Sequence, residues 1–263
     1  MTTLSSYLAI ANNLAKWQSI TSRSPAVTTA TNYFEANIGS VKSASDLTKN
    51  TRLFDYAMTA FGLGDRLDSK GLMTQVLKQG VTSSTALAKT LANSNILAFA
   101  KAFDFADNGS STTSSSSLVR SVVAKYTENA LETDQGRQNP GVQLALYFQN
   151  HAPAITDGYG ILADKNLLTV VQTALGVSPM TGLEPIDQQA SMLASKIKFS
   201  DFRDPTKLQA FISRFAAMYD YNNGSASGST STYSNAILLG ASQAAGVGTN
   251  MTLLQSLQGF SPA

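Results

Sequence analysis

Three arrangements in the sequence hold residue types that could do chemistry. His151 is the single histidine, and the chain holds no cysteine. An imidazole can serve as a general base, but only beside partners that orient it, and no Asp-oriented Ser/His pair can be assigned around it. Without thiols there is no disulfide, no thiolate metal site and no thiol nucleophile; without a second imidazole there is no facial-triad or zinc set. Gly62-Leu63-Gly64 is the one glycine pair with the look of a nucleotide loop. It lacks a third glycine and a preceding strand, and it follows a helix where a phosphate loop would open one, so it reads as a helix stop. Asp104 and Asp220 each stand between two aromatics. Apolar surroundings can raise a carboxyl pKa and suit it to acid work. Their matching places in two halves of the chain point instead to a structural task, such as capping a helix or accepting from a buried donor. The residues therefore predict no enzyme, no cofactor and no metal.

The elements that must position these groups are helices, and they come in two sets. Tyr33-Phe34 reappears as Tyr147-Phe148, an offset of 114 that also carries Leu53 to Leu167, Thr59-Ala60 to Thr173-Ala174 and Gly62 to Gly176. Under the same offset His151 falls on Asn37, a residue that does not titrate near neutrality. Leu53, Phe54, Ala57, Met58 and Phe61 form one broad apolar face of a helix, and Leu167, Leu168, Val171 and Leu175 form its counterpart. Asp164 is placed to cap the second, and Gly62 and Gly176 to stop them. Phe99-Ala100, Phe103-Asp104-Phe105 and Phe215-Ala216, Tyr219-Asp220-Tyr221 close the two sets with one motif, read as helices over 96–105 and 208–221. Alternation of period two in Val, Ile and Thr is almost absent, which predicts an all-α fold, internally duplicated, with a short helical C-terminal tail.

The expected organisation is a first repeat over 1–107, a Ser/Thr-rich flexible linker over 108–117, a second repeat over 118–222, and a flexible linker with tail over 223–263. Tyr7, Ile10, Leu14 and Trp17 lie on one stripe, predicting a single N-terminal helix that docks on the first repeat or binds a partner. It is expected to give way to a connection over 21–31. In the tail, Leu253, Leu254 and Leu257 are the matching candidates for partner contact.

Composition narrows the classes further. Charged residues are only 14% of 263 and the net charge is +2, scattered, so no nucleic-acid footprint is expected. No apolar run approaches the roughly 18 to 20 residues that span a bilayer, and the start lacks a secretory signal pattern. Nothing in the residues selects an oligomeric state.

Read together, Tyr33-Phe34, Asp46-Leu47, Arg52-Leu53-Phe54, Ala60-Phe61-Gly62-Leu63, Gln138-Asn139, Gly141-Val142, Leu144 to Phe148 and Val170 to Gly176 resemble domain-of-unknown-function family 1217, a family associated with flagellar genes of alphaproteobacteria. The resemblance covers most of 33–221 and brings no catalytic motif. It implies an all-α, internally duplicated fold in a flagellar or motility context. Two roles follow as expectations. One is a structural or assembly protein exported to the flagellum or beyond the cell, in contact with other flagellar proteins through Tyr7 to Trp17 and Leu253 to Leu257. The alternative is a cytoplasmic chaperone or adaptor that holds another flagellar subunit in an apolar groove between the repeats.

Overall fold

The computed structural model describes residues 1–223, and Leu253, Leu254 and Leu257 lie outside them. Among the described residues the fold is all-α, without strands. Helices α1 (Thr3–Ala11), α2 (Leu14–Ser22), α3 (Pro25–Asn37), α4 (Ala44–Lys49), α5 (Thr51–Ala60), α6 (Lys70–Gln79), α7 (Leu87–Thr90), α8 (Ser94–Ala102) and α9 (Phe105–Asn108) come first. Then follow α10 (Ser116–Gln138), α11 (Pro140–His151), α12 (Gly158–Leu162), α13 (Lys165–Leu175), α14 (Ile186–Lys196) and α15 (Pro205–Asn222). The helices after Pro25 and those after Pro140 open in the same order: a long helix, a 3-10 turn, a short helix, then the most amphipathic one.

Local signals account for many of these boundaries. Proline at the first position opens α3, α11 and α15, where its fixed φ suits a helix and its missing N–H is not needed. The Asp164 side chain accepts from the Asn166 and Leu167 amides at the start of α13, and Asn50 does the same for Leu53 in α5. Gly62 and Gly176 both take positive φ, 68° and 64°, just past the ends of α5 and α13. The face of α5 read from the sequence is buried as expected: Leu53, Phe54, Ala57, Met58 and Phe61 all sit in the core.

Two apolar cores result. The first gathers Phe34, Phe54, Phe99 and Phe103 with Val122; the second gathers Tyr7, Ile10, Phe148, Ile212 and Phe215 with Leu131. Helix α10 belongs to both, since its N-terminal part packs on α5 and its C-terminal part on α11. A stack of rings, Phe34 on Tyr56 at 4.4 Å and Tyr56 on Tyr126 at 3.9 Å, ties α3, α5 and α10 together.

The N-terminal segment differs from its sequence reading in three ways. The stripe Tyr7, Ile10, Leu14, Trp17 does not lie on one helix, because Asn12 and Asn13 interrupt it; Asn13 leaves helical geometry before α2, and its side chain donates back to the Ala9 carbonyl. The expected connection over 21–31 is mostly helix, since Pro25 starts α3. Most consequentially, α1 docks on α11 and α15 of the second core, not on the first. Its first turn is held there by Asp220, whose two carboxylate oxygens accept from the Thr3 amide at 3.0 and 2.9 Å, while the Thr3 hydroxyl meets Asn139. Gly141 makes room for this junction: a Cβ there would come within 2.6 Å of the Tyr219 ring and 2.8 Å of Thr3 Cγ2.

The stretch 108–117, expected to be a flexible linker, is ordered as a 3-10 turn over Gly109–Ser114 that runs into α10. Its threonines replace the missing apolar content with hydrogen bonds. The Thr113 hydroxyl donates to the Val41 carbonyl at 2.6 Å and the Thr112 hydroxyl to the Asp104 carbonyl at 3.0 Å, and both residues are buried. The closing motif of the first half also breaks. Helix α8 stops at Ala102, and Asp104 caps the short α9, whereas Asp220 lies within α15.

Because Asp220 is the acceptor that fixes the first turn of α1, Asp220→Ala is expected to lower stability by about 1–3 kcal/mol in denaturant unfolding. Amide exchange should accelerate over residues 3–11 before it does in α5 or α13, and unchanged protection of α1 would show that apolar docking alone holds it.

Candidate functional site

Where the two cores meet, the packing turns polar and leaves a cleft of about 330 Å³. Its walls are the end of α5 with Phe61 and Gly62, the start of α8, the middle of α10, the end of α11, and the turn into α12. Gly62 shapes one wall, since its left-handed turn lets the Asn95 side chain approach where a Cβ would stand 3.2 Å from Asn95 Nδ2.

At the floor, Asn95 of α8 donates through Nδ2 to the Tyr147 hydroxyl at 2.9 Å, and that hydroxyl donates in turn to the Asp164 carboxylate. This buried chain links the first half to the second. Burial and the nearby Asp164 carboxylate push the Tyr147 hydroxyl well above the ordinary range, so it remains a proton donor. The ring of Tyr147 stacks on His151 at 3.9 Å. His151 Nδ1 lies 2.8 Å from the Tyr147 carbonyl, which can only accept, so Nδ1 carries the proton. Burial lowers the His151 pKa, and the neutral ring keeps a lone pair on Nε2. Asn37, which the sequence offset of 114 aligns with His151, donates in the same way to the Tyr33 carbonyl at 2.8 Å.

The opposite wall is acidic. Glu132 of α10 is only 4% exposed and accepts from Asn150 Nδ2 at 2.7 Å through one oxygen. Desolvation pushes its carboxyl up to about 8, against the hydrogen bond from Asn150, so at neutral pH it holds a proton. Glu128, one turn earlier, is also raised by desolvation, with the Lys125 ammonium opposing. Lys125 itself lies over the Phe61 ring, 5.5 Å from its centre. The cleft therefore combines a neutral carboxylic acid, a neutral imidazole with a lone pair, and amide oxygens. Such a set can bind through hydrogen bonds and exchange protons near neutrality.

Of the residues singled out in the sequence as able to do chemistry, His151 and Gly62 line this cleft, Gly62 as the helix stop expected of it. Asp104 and Asp220 serve as backbone acceptors elsewhere in the fold. The candidate partner contacts Tyr7 and Ile10 are corrected: they are buried in the second core, because α1 spends its apolar face on α11 and α15. Leu14 and Trp17 are half-buried against the same core. Glu132, Glu128 and Asn95 were missed. Glu132 had a visible signal, since it falls fourteen residues after Leu118 on the face that also carries Val122, an acidic group in an apolar phase. Asn95 had none.

The fold and this cleft define an all-α protein in which two helical cores share one long helix. The chain belongs to the family described as "Protein of unknown function (DUF1217)", whose model matches residues 60–208, a span that includes every residue lining the cleft. It is also similar to a crystal structure of protein AGR_C_984 from Agrobacterium tumefaciens. The two are 34% identical with a TM-score of 0.79, over 84% of this chain and 94% of that one. No curated protein matches the chain.

The raised carboxyl sets a pH dependence. In the unfolded chain Glu132 loses its proton near its ordinary value of 4.5, whereas in the folded chain it keeps it to about 8. Its contribution to stability is thus whole below about pH 4.5 and is lost as pH rises through about 8, a change on the order of a few kcal/mol. Glu132→Gln keeps an acceptor for Asn150 and is expected to flatten this slope in urea unfolding between about pH 5 and 9; an unchanged slope would assign the dependence to another group.

Proposed function

We propose that the protein is a non-enzymatic structural or assembly protein of the bacterial flagellum, exported through the flagellar secretion apparatus and acting by contact with other flagellar proteins. Internal duplication of one helical unit is part of the same reading, supported by the repeated sequence register and the shared order of elements. The flagellar context comes from the family resemblance. A Cys-free, charge-poor chain rich in Ser and Thr is compatible with passage through an export channel in unfolded form.

The observation that carries a contact role is an apolar surface on the second half. Met180, Leu183 and Ile186 are 69%, 81% and 59% exposed within seven residues, on the 3-10 turn Pro179–Leu183 and the start of α14. Tyr159, half exposed, joins them by donating to Asp187 at 2.7 Å. Large apolar side chains grouped in this way mark interaction surfaces. With Tyr7 and Ile10 buried, this surface takes over the contact role first assigned to the N-terminal stripe.

A second reading, the cytoplasmic chaperone or adaptor, is favoured by a different feature. A groove of about 360 Å³ runs between α2, α3 and α10, where Trp17, Ile20, Val27, Tyr126 and Ala130 form its apolar part and Asp134 and Arg137 stand among its polar lining. It could receive one or two apolar anchors of a partner helix.

Fractionation of wild-type and flagellar-export-defective cells separates the two. The exported protein is expected in filament or medium fractions of the wild type and absent from them in the export mutant; retention in the cytoplasm of both strains would favour the adaptor. Replacing Met180, Leu183 and Ile186 together with aspartate should abolish co-fractionation while changing stability by less than about 1 kcal/mol, since these side chains are exposed.

A further inference from the structure

The cleft between the cores brings together several acceptor atoms that make no hydrogen bond to the described residues. Glu132, 4% exposed, commits one carboxylate oxygen to Asn150, and its other oxygen makes no hydrogen bond to the described residues. His151 commits its only proton to the Tyr147 carbonyl, so Nε2 can only accept. Asn95 and Asn150 direct their amide nitrogens to Tyr147 and Glu132, which leaves both Oδ1 atoms as acceptors. Glu128 adds a second carboxyl one turn before Glu132 on the same wall. Against these stands one charged donor, Lys125.

We infer that this cleft binds an N–H-rich cation, a primary ammonium or a guanidinium, seated between Glu132 and Glu128 with His151 Nε2 and the asparagine oxygens accepting its remaining hydrogens. A volume of about 330 Å³ is at the small end of ligand sites and matches an amino-acid-sized amine or the side chain of a partner's lysine or arginine. A divalent metal ion is the wrong class, since no three His, Asp or Glu groups among the described residues are grouped to hold one. Charge-assisted hydrogen bonds to carboxylates in a partly dry cleft are the strong kind, and several can form at once on a planar guanidinium.

Binding should be coupled to a proton. A cation beside Glu132 favours its ionised form, so the carboxyl releases the proton that burial makes it hold, and affinity rises with pH. The charges that act on Glu132 are Glu128 and Lys125 on its own helix, and its own charge acts on Tyr147 of α11; His151 of α11 and Asp157 before α12 also line the cleft, to which α5 and α8 bring no titratable group.

The test is calorimetric titration of the full chain with butylamine, methylguanidinium and, as a cation without N–H groups, tetramethylammonium. The first two are expected to saturate, more tightly at about pH 9 than at about pH 7, with buffer-dependent heats that report proton release at the lower pH. Glu132→Gln should weaken binding about tenfold or more and remove the proton release, as the loss of a charged hydrogen-bond acceptor implies. Glu128→Gln, at a less buried position, should weaken binding too and guards against misfolding of the first variant. Lys125→Met, which removes the competing charge, should strengthen it. Equal binding of tetramethylammonium, absence of saturation, or binding indifferent to both glutamine variants would overturn the site. A neutral peptide with one central arginine then separates the sources: binding at least as tight as methylguanidinium points to a partner's side chain, and exclusion of the peptide points to a free small cation.

Discussion

Both cores depend on one helix, α10. Over 23 residues, about 35 Å of helix, it buries Leu118 and Val122 in the first core and Leu131 in the second. A single rigid rod inserted in two cores ties their positions together, because neither end can shift without unpacking the other. Burial of each large side chain is worth roughly 1.5–3 kcal/mol, so each end holds by a few such contacts and the whole by their sum. The polar cleft is the consequence. On the face it turns toward the seam of the two cores the rod carries Lys125, Glu128 and Glu132.

A region of that kind is costly unless its polar groups are matched, and here they are matched across the halves. Asn95, Tyr147 and Asp164 form one buried chain of donors and acceptors, and Glu132 is held by Asn150. The neutral state of Glu132 is the solution available to a carboxyl that loses water without gaining a cation. The same environment keeps His151 neutral. A structural bond and a latent binding chemistry therefore arise from one cause, the dehydration of polar residues at the meeting of two cores.

The first helix shows how far a local pattern can mislead about its partner. Tyr7 and Ile10 read correctly as an apolar stripe, and they are buried, but in the second core. What places them there is Asp220, more than two hundred residues away, together with the space left by Gly141. The segment 108–117 carries the complementary lesson. Its Ser and Thr content signals flexibility only while the hydroxyls face water; facing the carbonyls of Val41 and Asp104, they hold the chain.

What the sequence alone determined is local. Helical class, the apolar faces of α5 and α13, the Asp164 cap and the stops at Gly62 and Gly176 follow from a period of 3.6 residues and from the backbone needs of a few adjacent residues. The tertiary structure alone decided which core each helix enters, that Asn12 and Asn13 divide the N-terminal stripe, and that Asn95, Glu132 and His151 share one cleft. The physical reason is that a propensity or a cap is satisfied within a turn or two of chain. Burial of a polar side chain, and the pKa that goes with it, is set by neighbours brought in from distant positions, and those neighbours exist only once both cores have closed.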